Sequence, residues 1–356
     1  MNTPVITALA THVPPAVTQR RWNRIARELA RTAPAGWAPA IWRPWFDAYR
    51  TGHPDGPARG HGHTRNGSGN ACGSAYQGPV PVESGDDLSG LAARAAGIIL
   101  TGRQRRAPAP DVIMFCHSCL NEHVSTTTAG RLGSLAAGTP FAFALSQQQG
   151  ASVFTALRLA CDLFVAEPAS DAVLIVAAEK WRPPFSRQVP RSLMHGDGAG
   201  ALLLERGPRE GRGLRVLGTV TQTLAPATPA AQDWPVAPAA FAPVLARLID
   251  TLLSQHRLST SMITHTTGHP VALFPAGTVL RYPQLMACSP GSAPSCYLGA
   301  ADIIVRLSGL PRAQALPAGS LVLAWGIGPG GFAGCSLLQV QGAPGQWIAC
   351  PTAPCP

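Results

Sequence analysis

Lysine is nearly absent from this chain: Lys180 is the only one, and arginine carries the positive charge against 18 acidic residues, for a formal net charge of +10. Charged residues make up 13% of the 356 positions and hydrophobic residues 46%. A chain this apolar buries a sizeable core and is not a disordered tail. No uninterrupted run of about 20 apolar residues occurs, so a membrane span is not expected. The opening MNTPVITALATHVPP lacks a basic segment followed by an apolar one, so no secretory signal is expected and the expected compartment is cytoplasmic. Zinc spacing is missing as well. Cys116 and Cys119 form CHSC, but no second pair follows, and the odd total of nine cysteines reads as reduced, structural thiols. The GHGH at 60–63 has no acidic or cysteine company. In HTTGHP, His265 and His269 are four apart, yet Gly268 and Pro270 oppose a helix and the glutamate of HExxH is absent, so no metal site is expected. The arginines are scattered without a groove-reading motif, which argues against nucleic acid.

What is present is a regular alternation of helical and strand patterns. Residues 20–31 space Trp22, Ile25, Ala26 and Leu29 on one helical face, and residues 32–81 form an irregular insertion rich in Trp, then Gly and His. Helices are expected at 87–101, 124–137, 152–166 and 300–310. Strands are expected at 111–115, 141–145, 171–178, 201–205, 320–325 and 335–340. The continuous apolar run DAVLIVAA at 171–178 suits a strand buried on both faces.

An internal echo organises these elements. Helix 152–166, strand 172–178, the turn HGDGAG (195–200) and strand 201–205 recur as helix 300–310, strand 320–325, the turn GIGPGG (326–331) and strand 335–340. The expected division is a first half over 1–208, a second over 213–342 and a tail over 343–356, with GPREGRG at 207–213 as the hinge. Gly326, Gly328 and Gly331 spell GxGxxG, but the segment after them reads as a strand, so a dinucleotide site is not expected. Close backbone approach between two strands explains these glycines better.

HGDGAGALLLE (195–205) behind AVLIVAAEKW (172–181), PFAFALSQQQGASVFTALRLA (140–160) and GSLVLAWGIGPGGFAGCSLLQV (319–340) together resemble the β-ketoacyl-acyl-carrier-protein synthase III branch of the thiolase superfamily. The resemblance spans most of residues 85–342. It implies an α/β thiolase-like fold, two duplicated βαβαβαββ halves in alternating helix and sheet layers, paired as a dimer across the nucleophile-half sheets. It also implies acyl transfer to a cysteine at a helix N-terminus, with coenzyme A or phosphopantetheine thioesters as substrates and no bound cofactor. The basic charge then suits an acidic acyl carrier protein or acyl-CoA.

Matching TALRLA (155–160) to the family's helix places Gly150 where the cysteine belongs, with Gln149 beside it; glutamine replaces cysteine in related chain-length-factor and decarboxylating domains. Ser152, two residues into the helix, is expected to point elsewhere and has no visible base, and Cys161 is expected to pack. His265 matches the first position of the family's H-x-x-N segment, whose asparagine falls on Gly268. A second family asparagine falls on Cys296 or Tyr297. Asp302 matches an aspartate used by acyltransferases of similar fold. Gly150, Gly330 and Gly331 are the expected backbone donors to an oxyanion. Three readings follow: a catalytically reduced subunit that forms a heterodimer with a cysteine-bearing ketosynthase-like homologue; a divergent acyltransferase or decarboxylase acting without a covalent intermediate; and a binding or scaffold protein. The expected partner is a ketosynthase-like homologous subunit, in a hetero- or homodimer.

Overall fold

The computed structural model describes residues 3–18, 20–22, 24–25, 78–104, 107–119, 126–181, 187, 194–207, 211–224, 238–269, 281–282, 296–313, 315–343 and 348. Most of the 32–81 insertion, the GHGH segment and nearly all of the tail lie outside them. So does the later part of the 20–31 helix, of which residues 20–22 and 24–25 are helical.

Eleven strands are described: β1 (Val5–His12), β2 (Ala16–Val17), β3 (Val80–Pro81), β4 (Val112–His117), β5 (Phe141–Ser146), β6 (Ala172–Glu179), β7 (Gly198–Glu205), β8 (Gly213–Thr223), β9 (His265–Thr267), β10 (Leu321–Gly328) and β11 (Phe332–Gln341). The main helices are α1 (Leu88–Gln104), α2 (Thr128–Leu135), α3 (Ser152–Ala166), α4 (Phe241–Gln255) and α5 (Asp302–Ala313). The glycine-rich segments are more extended than expected. Gly198 and Gly200 already belong to β7, and Gly326 and Gly328 to β10, so the second turn narrows to the hairpin around 328–331.

Nine strands form one continuous ladder in the order β5-β4-β6-β7-β1-β8-β11-β10-β9. β1 and β8 pair only through Val5↔Arg215 and Ile6↔Leu214, and this short seam joins two sheets, one from each half. Within each half the echo holds: α3 leads into β6 and antiparallel β7, and α5 leads into β10 and antiparallel β11. β6 is buried at every position, as its unbroken apolar run requires.

Three apolar clusters separate the layers. Leu88, Leu91, Ala95 and Ile99 of α1 cover one face of the first sheet with Phe115, Leu174 and Val176. Leu245, Ile249 and Leu252 of α4 cover the second sheet with Leu323, Trp325 and Leu337. Between the sheets, Phe154, Leu157 and Ala160 of α3 and Ile303, Ile304 and Leu307 of α5 form the central core with Ile175, Leu202 and Val322. Gln149–Ala166 has the length and hydropathy of a membrane-crossing helix, yet α3 buries Val153, Phe154, Leu157 and Phe164 in this central layer. Its apolarity is that of a helix covered by sheets on both sides. This layered α/β arrangement is the thiolase-like fold.

Candidate functional site

β5 ends at Ser146, and the chain reverses sharply before α3 begins at Ser152. Gln147 (φ 68°) and Gln149 (φ 47°) occupy the left-handed region, an uncommon conformation for residues with a Cβ. Ser118 Oγ accepts from Gln149 N at 2.9 Å, and Ser152 Oγ donates to Gln149 O at 2.6 Å. Ser152 thus closes the turn, as packing rather than as a nucleophile. Gln149 is buried, and its side-chain Oε1 has no hydrogen-bond partner among the described residues. The β10–β11 hairpin presses on this elbow. A Cβ at Gly326 would lie 2.6 Å from Gly150 O, one at Gly334 2.6 Å from Phe154 Cβ, and one at Gly328 would overlap Gln148 O. The approach that demands glycine is therefore between the hairpin and the elbow, not between two strands.

Opposite the elbow stand residues from the second half. His269 follows β9, where Gly268 lies flat against Trp325, too close for any side chain. Its Nδ1 contacts Asp302 Oδ2 at 2.6 Å, and its Nε2 faces Ile327 O at 3.0 Å. Both ring nitrogens thus face oxygens, one a carboxylate and one a backbone carbonyl. Arg306 Nε donates to the same Asp302 oxygen at 2.6 Å, one helical turn along α5. Burial alone would raise the Asp302 carboxyl, but the Arg306 guanidinium and His269 ring hold it well below the usual carboxylate range. Tyr297 completes the group. Its hydroxyl accepts from Gly150 N at 2.8 Å and donates to Ile327 O at 2.8 Å. His269, Asp302 and Tyr297 are all at most 1% exposed. A Cβ on Gly150 would sit 2.5 Å from His269 Nε2 and 2.6 Å from Ile327 O.

Of the residues singled out from sequence, Gly150, Gln149 and Asp302 converge here. His265 does not; it opens β9 in register with Val322, and His269 is the histidine facing Gly150. Of the two histidines of HTTGHP, the one beyond the end of β9 at Thr267 is the one beside the elbow. The Gly150 N–H is engaged by Tyr297, and the Gly331 N–H closes the hairpin on Gly328 O at 2.9 Å. Gly330 lies in that same turn. In the sequence, Tyr297 stands out only as one of two positions where the family asparagine falls. Arg306 carried no motif, though its i+4 spacing from Asp302 was available as a signal.

Other polar groups are accounted for structurally. Asp197 of the GDGAG segment accepts from Arg187 Nη1 at 2.7 Å and Nη2 at 2.8 Å, from Trp181 N at 2.9 Å and from Glu83 N at 2.8 Å. Glu179 accepts from Cys119 N at 2.9 Å and Ala300 N at 3.2 Å, and burial raises its carboxyl. Among the described thiols, burial pushes Cys116 and Cys296 up to about 12 and Cys161 up to about 11, which disfavours the thiolate. Among the described residues no cluster of His, Cys, Asp or Glu is arranged to hold a metal ion.

No protein-family model matches the sequence, and no curated protein matches it significantly. Solved structures do. The 3-oxoacyl-(acyl carrier protein) synthase III, FabH, from Pseudomonas aeruginosa PAO1 superposes with a TM-score of 0.62 at 18% identity, covering 95% of this chain and 98% of that one. The acyltransferase ChlB3 gives 0.63 at 18% identity over 97% and 99% of the two chains. Cerulenin-bound OleA from Xanthomonas campestris gives 0.63 at 15% identity over 95% and 98%. At such identities the likeness is one of fold, and it extends over nearly the whole length of each chain.

Proposed function

We propose that this chain is a condensing-enzyme-like subunit that carries no acyl group itself and pairs with a cysteine-bearing relative, helping to shape that partner's acyl pocket. The observation that carries this reading is the elbow. The N-terminus of α3 offers Gly150 and Gln149 in place of a thiol, and the space a side chain on Gly150 would need is taken by His269 and Ile327 O. Removing a nucleophile typically costs on the order of a thousandfold or more in rate. The solved structures of like fold include an acyl-carrier-protein synthase and an acyltransferase, which favours acyl-CoA or acyl carrier protein as the thioester class met by the pair.

The pairing surface is β5. It ends the sheet and bonds only to β4 among the described residues. Phe141 is 70% exposed on it, and Leu135 and Val165 stand exposed on the flanking helices. An unpaired apolar edge of this kind invites another strand. Phe141→Asp is expected to shift the protein toward monomer in light-scattering chromatography; an unchanged association state would remove β5 from the interface.

The test of the main reading is co-production with a cysteine-bearing thiolase-fold partner, exposure to acetyl-CoA and malonyl-CoA, and intact mass measurement of both chains. Acylation is expected on the partner alone, and an acyl adduct on this chain would overturn the proposal. A second reading, decarboxylation or acyl transfer without a covalent intermediate, is favoured by the 2.6 Å His269–Asp302 contact and by the buried Gln149 oxygen, which has no partner among the described residues. It expects the isolated chain to release free thiol or carbon dioxide from malonyl-CoA, with loss of that turnover in His269→Ala.

A further inference from the structure

The structure assigns Tyr297 a role of its own: its phenol is the resident occupant of the donor–acceptor pair at the elbow, keeping thioester carbonyls out. This deepens the reading of a subunit that carries no acyl group, and rests on it. A helix begins with backbone N–H groups that its own turns cannot satisfy, and such donors attract carbonyl or anionic oxygen. Gly150 N is such a donor, just before α3. Its acceptor is the Tyr297 hydroxyl, at 2.8 Å, and that hydroxyl donates in turn to Ile327 O at 2.8 Å. One oxygen thus satisfies a donor from the first half and an acceptor from the second.

The phenol is held from behind. Tyr297 N donates to Met194 O at 2.8 Å, and Gly196 N donates to Tyr297 O at 2.9 Å, so its backbone is laced into the first half. Glu179 takes the N–H of Ala300 three residues on. The rings of His269 and His195 stand edge-on to the Tyr297 ring, with centroids 4.8 and 5.2 Å away. A carbonyl ligand reaching Gly150 N would have to displace a side chain fixed at both ends. Restoring a thiol at position 150 would therefore not reopen the site, because the phenol and His269 would still fill it.

Two experiments test this on the whole chain. In Tyr297→Phe the ring remains and only the bridging oxygen goes. The Gly150 amide is then expected to exchange with deuterium at least tenfold faster than in the wild type, with helix-interior amides such as Ala156 unchanged. Unchanged exchange at Gly150 would overturn the assignment. In Tyr297→Ala the vacated space is expected to take p-cresol, raising the thermal midpoint clearly more than toluene does, since only the phenol can bridge the donor and acceptor. Equal effects of p-cresol and toluene, or no effect of either on the folded variant, would also overturn it. Should Tyr297→Ala not fold, the Tyr297→Phe exchange decides alone. Acylation of this chain in the mass experiment would defeat the proposed function and leave the exchange result standing, so the two failures are distinguishable.

Discussion

Two buried aspartates, one in each half, look alike by every simple measure. Asp197 and Asp302 are each at most 1% exposed, and each lies against an arginine. Their remaining partners differ. Asp197 divides its oxygens between a two-pronged Arg187 contact and the backbone N–H groups of Trp181 and Glu83, and Arg187 also donates to the Trp181 and His195 carbonyls. Asp302 accepts from Arg306, from Leu298 N at 3.1 Å, and from an imidazole whose other nitrogen faces the elbow. Burial and charge pairing do not by themselves mark a site. What separates the two is that Asp197 ties loops together, whereas Asp302 reaches through His269 to the start of α3.

The comparison breaks most visibly at Asp197. Asp197→Ala leaves the Arg187 guanidinium buried without its counter-charge, a change that costs about 3–5 kcal/mol. Loss of soluble protein or a large fall in the urea midpoint is expected. Asp302→Asn keeps the shape and part of the hydrogen bonding, so a smaller loss of about 1.5–3 kcal/mol is expected. Its more telling effect is on His269, which loses the charge that orients it; any turnover by the isolated chain is expected to fall with it.

Acid sharpens the contrast further. The Asp302 carboxyl is held below the ordinary range, so its ionic contacts contribute fully above the unfolded value near pH 4, as given by about 3.9 for a free aspartate. They are lost as the pH falls through the lower folded value. Stability followed by denaturant titration is expected to decline below about pH 4, and Asp302→Asn is expected to flatten that limb. An identical acid limb in the variant would show that other carboxylates carry it.

Much of this arrangement could be read from residues alone, because it rests on local pattern. The α3 boundaries at 152–166 follow from an apolar stretch entered through SQQQGA, and β6 from an unbroken apolar run. The placements of Gly150 and Asp302 are legible because each sits at the start of a helix, where sequence position fixes spatial position to within a turn. The placements of His269, Tyr297 and Arg306 leave less trace in the sequence. Which histidine of HTTGHP faces the elbow depends on where a three-residue strand stops and on Gly268 lying against Trp325, 57 residues away in sequence. Tyr297 reaches Gly150 only because its backbone is bonded to residues 194–196 of the other half. Such long-range placement leaves no periodicity in the chain. The acidic residue of GDGAG shows the converse: a motif that identifies the fold, with a side chain that serves packing.

The smallest test exchanges each arginine for lysine. Arg187 Nη1 and Nη2 engage both oxygens of Asp197, and its guanidinium carbon lies 4.1 Å from the Trp22 ring centroid. A lysine ammonium can reproduce neither the fork nor the flat contact with the indole. Arg306 instead makes one contact at 2.6 Å, through Nε to Asp302 Oδ2, while its Nη2 reaches Oδ1 at 3.3 Å and Cys296 O at 3.4 Å. A single ammonium on a shorter demand can replace most of that. Arg306→Lys is therefore expected to lower stability by about 1 kcal/mol or less, within the range of a single net hydrogen bond, and Arg187→Lys by clearly more. Equal losses in parallel urea titrations would mean that the forked geometry at Asp197 adds nothing beyond charge, and the distinction between the two carboxylates would then rest on His269 alone.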